Sequence, residues 1–163
     1  MNNRRMVRVA LIAALVVSSV PFARAQWASG APAESTNSIP QANLVQPEAL
    51  NQMLRTERAH PPVVLQVGSR AMFDQAHIRD AIYAGPGSQA GGRDLLRSRV
   101  DRLPRTAAIV IYCGCCPWQH CPNLGPAFAE LEQMGFKNVK VLYLANNFGT
   151  DWVAKGYPAR QGD

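Results

Sequence analysis

The sequence predicts an α/β domain with a central, mainly parallel sheet flanked by helices. Three short apolar runs lead to that class: residues 63–67 (V-V-L-Q-V), 107–112 (A-A-I-V-I-Y) and 139–144 (V-K-V-L-Y-L). They are rich in β-branched residues and largely apolar on both faces, the pattern of strands covered by helices from either side. The segments between them carry apolar residues at helical spacing, so strands alternate with helices and a parallel arrangement follows. Ligand sites in such sheets form at the carboxyl ends of the strands. The second run leads directly into Cys113.

Taken in order, residues 1–25 stand apart from the fold. Arg4, Arg5 and Arg8 form a positive region, residues 9–20 an apolar core too short to span a bilayer with margin, and Ala23-Arg24-Ala25 a small-residue cleavage pattern. Together they read as a secretory signal peptide. With no cysteine at the cleavage site, lipoprotein processing is not indicated. Four of the chain's six net positive charges belong to this segment, which contains no acid. A nucleic-acid or anionic-membrane partner thereby loses its electrostatic support, and no stable membrane insertion is expected after cleavage. The expected location is periplasmic or secreted. Residues 26–43, mostly Ala, Ser, Pro, Gly and Asn, read as a flexible lead-in, and residues 44–163 as one domain with a core of its own.

Within that domain, Gln46-Pro47-Glu48 opens a first helix, with Leu50, Met53 and Leu54 on one face and an end before Pro61-Pro62. The strand at 63–67 is followed by the turn residues Gly68 and Ser69, a short helical piece at 70–77 and a short strand at 81–84. Gly85-Pro86-Gly87 and Gly91-Gly92 read as turns. Across 93–103, Leu95, Leu96, Val100 and Leu103 approximate helical spacing, with arginines toward solvent. Beyond the cysteine-bearing stretch, Leu124, Phe128 and Leu131 fall at i, i+4 and i+7, with Asn123 as N-cap, Pro126 in the first turn and Gly135 as the stop. The strand at 139–144 and a helical turn or two over 148–155, carrying Trp152, complete the chain. Internal repeats, a Walker loop and a dinucleotide fingerprint are absent from the sequence.

All four cysteines lie in the stretch C-G-C-C-P-W-Q-H-C, from Cys113 to Cys121. Thiols clustered this tightly cannot staple distant parts of a fold and are better suited to chemistry. Cys115 and Cys116 are vicinal, which leaves Cys113 with Cys116 and Cys116 with Cys121 as the easier local pairings. The stretch joins a strand end to a helix N-terminus, whose unpaired N–H groups point back into the loop. A thiol there is expected to be held as thiolate.

Over roughly residues 44–159 the chain resembles the rhodanese-like domain. The resemblance is carried by V-V-L-Q-V-G-S (63–69), F-D-Q-A-H-I-R-D-A-I (73–82) at the place of a G-H-I-x-G-A-I element, I-V-I-Y-C (109–113), G-F-K-N-V-K-V-L (135–142) and W-V-A-K-G-Y-P (152–158). It implies persulfide transfer. Cys113 would take a sulfane sulfur from a donor such as thiosulfate and pass it to a thiol acceptor, with no cofactor; a periplasmic redox protein is one such partner. Gln66 and Gly68 stand where the family's first-strand motif has Asp and Arg, and Asn147-Phe148 where it has paired glycines. No Arg or Lys occurs between Cys113 and Lys137, leaving His120 as the sole candidate cation of the loop, which argues against an anionic donor.

In this reading Cys113 is the catalytic residue, Cys116 and Cys121 are candidate resolving thiols, and Gly114, Cys115, Trp118 and His120 form the loop and substrate pocket. The C-x-x-C spacing of Cys113 and Cys116 equally suits a thiol–disulfide oxidoreductase. The rival from another class is a binding module, in which loop disulfides or a soft metal ion such as zinc or cuprous copper shape a surface for a partner. Metal ranks last, because its ligands would all come from one short loop, and no metal ligand is assigned. His77 and Trp152 read as structural. The acids are scattered, giving no carboxylate pair for acid–base work.

Overall fold

The computed structural model describes residues 39–57 and 59–162. The expected signal peptide and residues 26–38 of the expected lead-in lie outside the described residues. The chain runs β1 (Leu44–Val45), α1 (Pro47–Thr56), β2 (Val63–Gln66), α2 (Arg70–Gln75), β3 (His77–Ile78), β4 (Ile82–Tyr83), α3 (Ala90–Val100), β5 (Ala108–Tyr112), α4 (Leu124–Gln133), β6 (Asn138–Leu142) and β7 (Ala159–Arg160). Five strands form the main sheet in the order β1-β6-β5-β2-β4. Every neighbouring pair is parallel, with Ile111 of β5 level with Leu65 on one side and Val141 on the other.

The period of two along β5 divides the core. Ile109, Ile111 and Cys113 point to one face of the sheet, and Val110 and Tyr112 to the other. The first face is covered by α3 and α4 through Leu96, Val100, Phe128 and Leu131. The second is covered by α1, α2 and a wide helical turn at Gly149–Val153, through Leu50, Phe73 and Trp152. Both faces being covered is why β5 reads as an unbroken apolar run.

Local chemistry sets the helix starts. Pro47 occupies the first turn of α1, where its missing N–H costs nothing, and the Ser69 hydroxyl accepts from Met72 N–H at the head of α2. Asp80 takes the place of a glycine in the resembled motif and has φ 64°, a left-handed conformation that Asp tolerates better than most residues.

Several boundaries differ from expectation. Ile39 is already buried in the core and Gln41–Asn43 form a 3₁₀ turn, so packing starts ahead of residue 44. Gly91 and Gly92 lie inside α3, which begins at Ala90 rather than near residue 93. A Cβ on Gly92 would fall 2.0 Å from the Pro86 carbonyl, so this helix start packs directly on the 85–87 turn. The closing helical segment is a π turn rather than an α-helix. It seats Trp152 in full burial with its indole N–H donating to Pro158 O at 3.0 Å. His77 is buried and stacked on Phe73, with Nδ1 2.8 Å from the Phe73 carbonyl. β3 and β7 pair antiparallel as a separate two-residue ribbon.

Candidate active site

Cys113 follows the last residue of β5, the central strand, and is only 2% exposed. Two elements fix it there. The Gln66 side chain, at the end of neighbouring β2, donates to the Cys113 carbonyl at 3.1 Å while its Oε1 accepts from Gly68 N–H. Gly68 itself lies against the sulfur: a Cβ on it would be 3.1 Å from Cys113 Sγ and 2.9 Å from the Cys113 carbonyl oxygen. Gln66 and Gly68, read in the sequence only as departures from a motif, thus form the floor under this thiol.

Asn123 supplies the third wall, and here an expectation is corrected. Its side chain makes no cap bond to α4. Its Oδ1 instead accepts from both Ser88 N–H and Ser88 O–H, at 3.1 and 2.8 Å, which turns Nδ2 toward Cys113 Sγ at 3.3 Å. An N–H donor aimed at sulfur favours the anionic form, whether thiolate or persulfide. Neither Asn123 in this role nor Ser88 was legible in the sequence, where an Asn before an apolar helix signals a cap.

Gly114, with φ 94°, reverses the chain directly after Cys113. A side chain here would need a rarely adopted conformation, and its Cβ would come 3.1 Å from that of Phe148. The reversal lays Cys115 Sγ 3.3 Å from Cys113 Sγ, and Cys116 Sγ stands 3.0 Å from that of Cys115. Cys121, fully buried in the turn before α4, completes a group in which the sulfurs of Cys113, Cys115 and Cys121 all lie within 4.8 Å of one another. All four cysteines are free thiols. Cys113 thus meets Cys115, and Cys121 as well, rather than Cys116 as the spacing suggested, because the left-handed Gly114 shortens the path between near neighbours.

The hydrogen bonds order the protons. Cys115, receiving from Cys113 and Cys121, is held down to about 4 and is the thiolate of the group. Cys113 is pushed above the ordinary thiol range, first by its bond to Cys115 and further by burial, against the opposing bonds from Cys121 and Asn123. Cys121 is pushed up by Cys113, Cys115 and burial in turn. The thiolate expected at the strand end is therefore not on Cys113, whose thiol is pushed up, but two residues further on, at Cys115.

Cys115 is also the exposed member. A cleft of about 370 Å³ opens beside the loop, bounded by Met72, Phe148 and Val153, and reaches Gly114 and Cys115. Among the described residues, no Arg, Lys, His, Asp or Glu lines it. Trp118 and His120 lie outside it: they belong to a 3₁₀ turn, Trp118–His120, that Trp118 N–H ties to the Leu144 carbonyl at 2.9 Å, with the indole 6.1 Å from the Tyr143 ring. A larger cleft of about 620 Å³ lies at the opposite ends of the strands, by Val63 and Ile82, and contains no thiol.

Solved structures share this architecture. The Alr3790 protein from Anabaena sp. superposes with a TM-score of 0.55 at 22% identity, over 72% of this chain and 92% of that one. The rhodanese-like domain of the same protein, solved in solution, gives 0.52 at 21% identity, over 73% and 79%. The chain has the rhodanese-like fold. BH2092 from Bacillus halodurans is similar at a TM-score of 0.56 and 21% identity, covering 72% and 75%. EanB, in a cysteine-persulfide form in a tetrahedral intermediate state with ergothioneine, matches at 0.55 and 19% identity over 72% of this chain but only 27% of its own length. No family profile and no curated protein matches the sequence. Cys113 stands at the end of the central strand of this fold.

Proposed function

We propose that this chain is an exported sulfurtransferase that carries sulfane sulfur as a persulfide on Cys113 and exchanges it with donors and acceptors through Cys115. The observation that carries this reading is the 3.3 Å contact between the buried Cys113 sulfur and the exposed Cys115 sulfur, with the Asn123 N–H on the buried side. The Cys115 thiolate attacks the outer sulfur of a persulfide donor and the donor's thiolate leaves. Cys113 then attacks that outer sulfur, giving its proton to Cys115 as the Cys115–sulfur bond breaks. The Cys113 persulfide anion receives the Asn123 N–H. Transfer to a thiol acceptor runs the same steps in reverse. The rhodanese-like fold of EanB, in which a persulfide is formed, supports this chemistry. Export rests on the composition of residues 1–25; no helix among the described residues is long and apolar enough to cross a membrane.

With no cationic side chain among its described lining and the Cys115 thiolate facing it, the cleft favours a small organic persulfide over the thiosulfate dianion. Incubation of the reduced protein with cysteine persulfide should add one sulfur, mapped by peptide mass to Cys113 and removed by cyanide; thiosulfate should add it at least tenfold more slowly. Cys113→Ser should retain no stable sulfur, and Cys115→Ser should take it up slowly but still at Cys113. Sulfur uptake that survives Cys113→Ser undiminished would end the proposal. The same 3.3 Å contact favours one second reading, thiol–disulfide exchange: attack of Cys115 on the Cys113 persulfide would release hydrosulfide and leave a Cys113–Cys115 disulfide for an external dithiol to reduce.

A further inference from the structure

Three thiols that share one small volume can bind something other than sulfur. Cys113, Cys115 and Cys121 come from a strand end, a reversed loop and the turn before a helix, yet their sulfurs lie within 4.8 Å of one another. Three sulfurs around a central ion at about 2.3 Å stand about 4 Å apart in a trigonal plane. The cluster needs only sub-ångström adjustment to reach that arrangement. We propose that Cys113, Cys115 and Cys121 form a trigonal three-thiolate site for cuprous copper.

The donor set selects the ion. Thiolates favour soft d¹⁰ cations and exclude magnesium and calcium, which take oxygen ligands. Zinc in a closed site takes four ligands, and among the described residues only three cysteine, histidine or carboxylate groups converge here. Cys116 touches Cys115 but lies outside the group, and His120 is outside it as well. Two of the three ligands, Cys113 and Cys121, are set by core packing before any metal arrives. Cys115 opens onto the cleft and gives the ion a way in. Asn123 Nδ2–H to Cys113 Sγ is an outer-shell donor, of the kind that orients a ligand and eases its negative charge. Binding drives the remaining thiol protons into the buffer, so affinity rises with pH.

The site uses the thiols of the proposed sulfur transfer but does not depend on that activity. The test is competition for copper supplied as Cu(I), under ascorbate and argon, between the reduced full-length chain and a chromogenic cuprous chelator. Native mass spectrometry counts bound ions, and zinc is titrated in parallel. One Cu(I) per chain is expected, with thiolate-to-copper absorption in the near ultraviolet and proton release on binding. Cys115→Ser, whose position is exposed and whose folding is not at issue, should weaken binding at least tenfold, as should Cys121→Ala, whereas Cys116→Ser should bind as the parent does. No retained copper, equal loss in Cys116→Ser, or a zinc ion held as tightly as copper would each overturn the site. Persulfide uptake by the metal-free chain is scored separately. A chain that takes up sulfur but no copper refutes only this inference, and one that holds copper but takes up no sulfur refutes only the transferase.

Discussion

The two faces of the sheet are built from different materials. The α3–α4 face is mainly aliphatic, Leu, Ile and Val around Phe128 and Phe136, and the buried thiols Cys113 and Cys121 are part of it. The α1–α2 face is aromatic: Tyr112 lies 5.4 Å from Phe148, Phe148 6.3 Å from Trp152, and Trp152 5.1 Å from Tyr157, ring centre to ring centre. The cleft opens on that second face, under Phe148 and Val153. The buried thiols therefore lie on one side of the sheet and the cleft that reaches them opens on the other. Gly114 is the crossing point, and Cys115 is the sulfur that crosses. The Arg97–Glu130 pair, at 2.7 Å, bridges α3 and α4 away from the cleft.

If the aromatic face holds the fold and the aliphatic face holds the reactive groups, the largest effect should come from its centre. Trp152 is fully buried and donates its N–H to Pro158 O. Trp152→Ala should cost about 3–5 kcal/mol, from lost burial, a cavity and an unmade hydrogen bond. The shift of the urea unfolding midpoint measures it. A smaller loss than that of Leu131→Ala, its buried counterpart on the other face, would break the comparison.

The second effect sharpens the crossing. Cys115 is held down to about 4 by the S–H groups of Cys113 and Cys121, so it is already thiolate throughout the neutral range. A lowered pKa means the reactive form is present above about 4 and lost only as pH falls through it. Its alkylation by iodoacetamide should be nearly flat from about pH 5.5 to 8, where an ordinary thiol gains about tenfold per unit. Peptide mapping of the alkylated chain reads this directly. A tenfold-per-unit rise at Cys115 would place the thiolate elsewhere.

The sequence was most legible where burial on both sides leaves no ambiguity. The cores of β2, β5 and β6 and the cysteine at the end of β5 lie where the apolar runs put them. β1, β3 and β7, two residues each, carry too little pattern to announce themselves, and their pairing depends on partners far along the chain. The site was half legible. Cys113 is placed by its strand, but the sequence offers Cys115 only as a pocket residue, since only the positive φ of Gly114 brings its sulfur onto that of Cys113. Gly68 and Gln66 read as substitutions in a motif, yet Gly68 lies against the Cys113 sulfur and Gln66 holds the Cys113 carbonyl. In each case the missing information was three-dimensional: a backbone sign, or a side chain choosing a distant partner over a local one.

Asn123 is the clearest instance of that choice, and it yields the smallest and most specific of these effects. A cap role would put its side chain on the backbone of α4, and its loss would register only in stability. The observed role puts Nδ2–H on Cys113 Sγ, with Ser88 holding the amide by its oxygen. This bond lowers the pKa of Cys113 against the larger upward push of Cys115. Removing it should raise the pH at which Cys113 becomes reactive and slow persulfide formation about 2- to 13-fold, the worth of one hydrogen bond of about 0.5–1.5 kcal/mol. Asn123→Ala tests the loss of the donor. Asn123→Asp keeps an oxygen for Ser88 but turns a carboxylate toward the sulfur, so it should be slower still although its Ser88 bonds persist. A pH–rate profile unchanged in both variants would return Asn123 to the helix end and leave Cys113 with only its fellow thiols to set its chemistry.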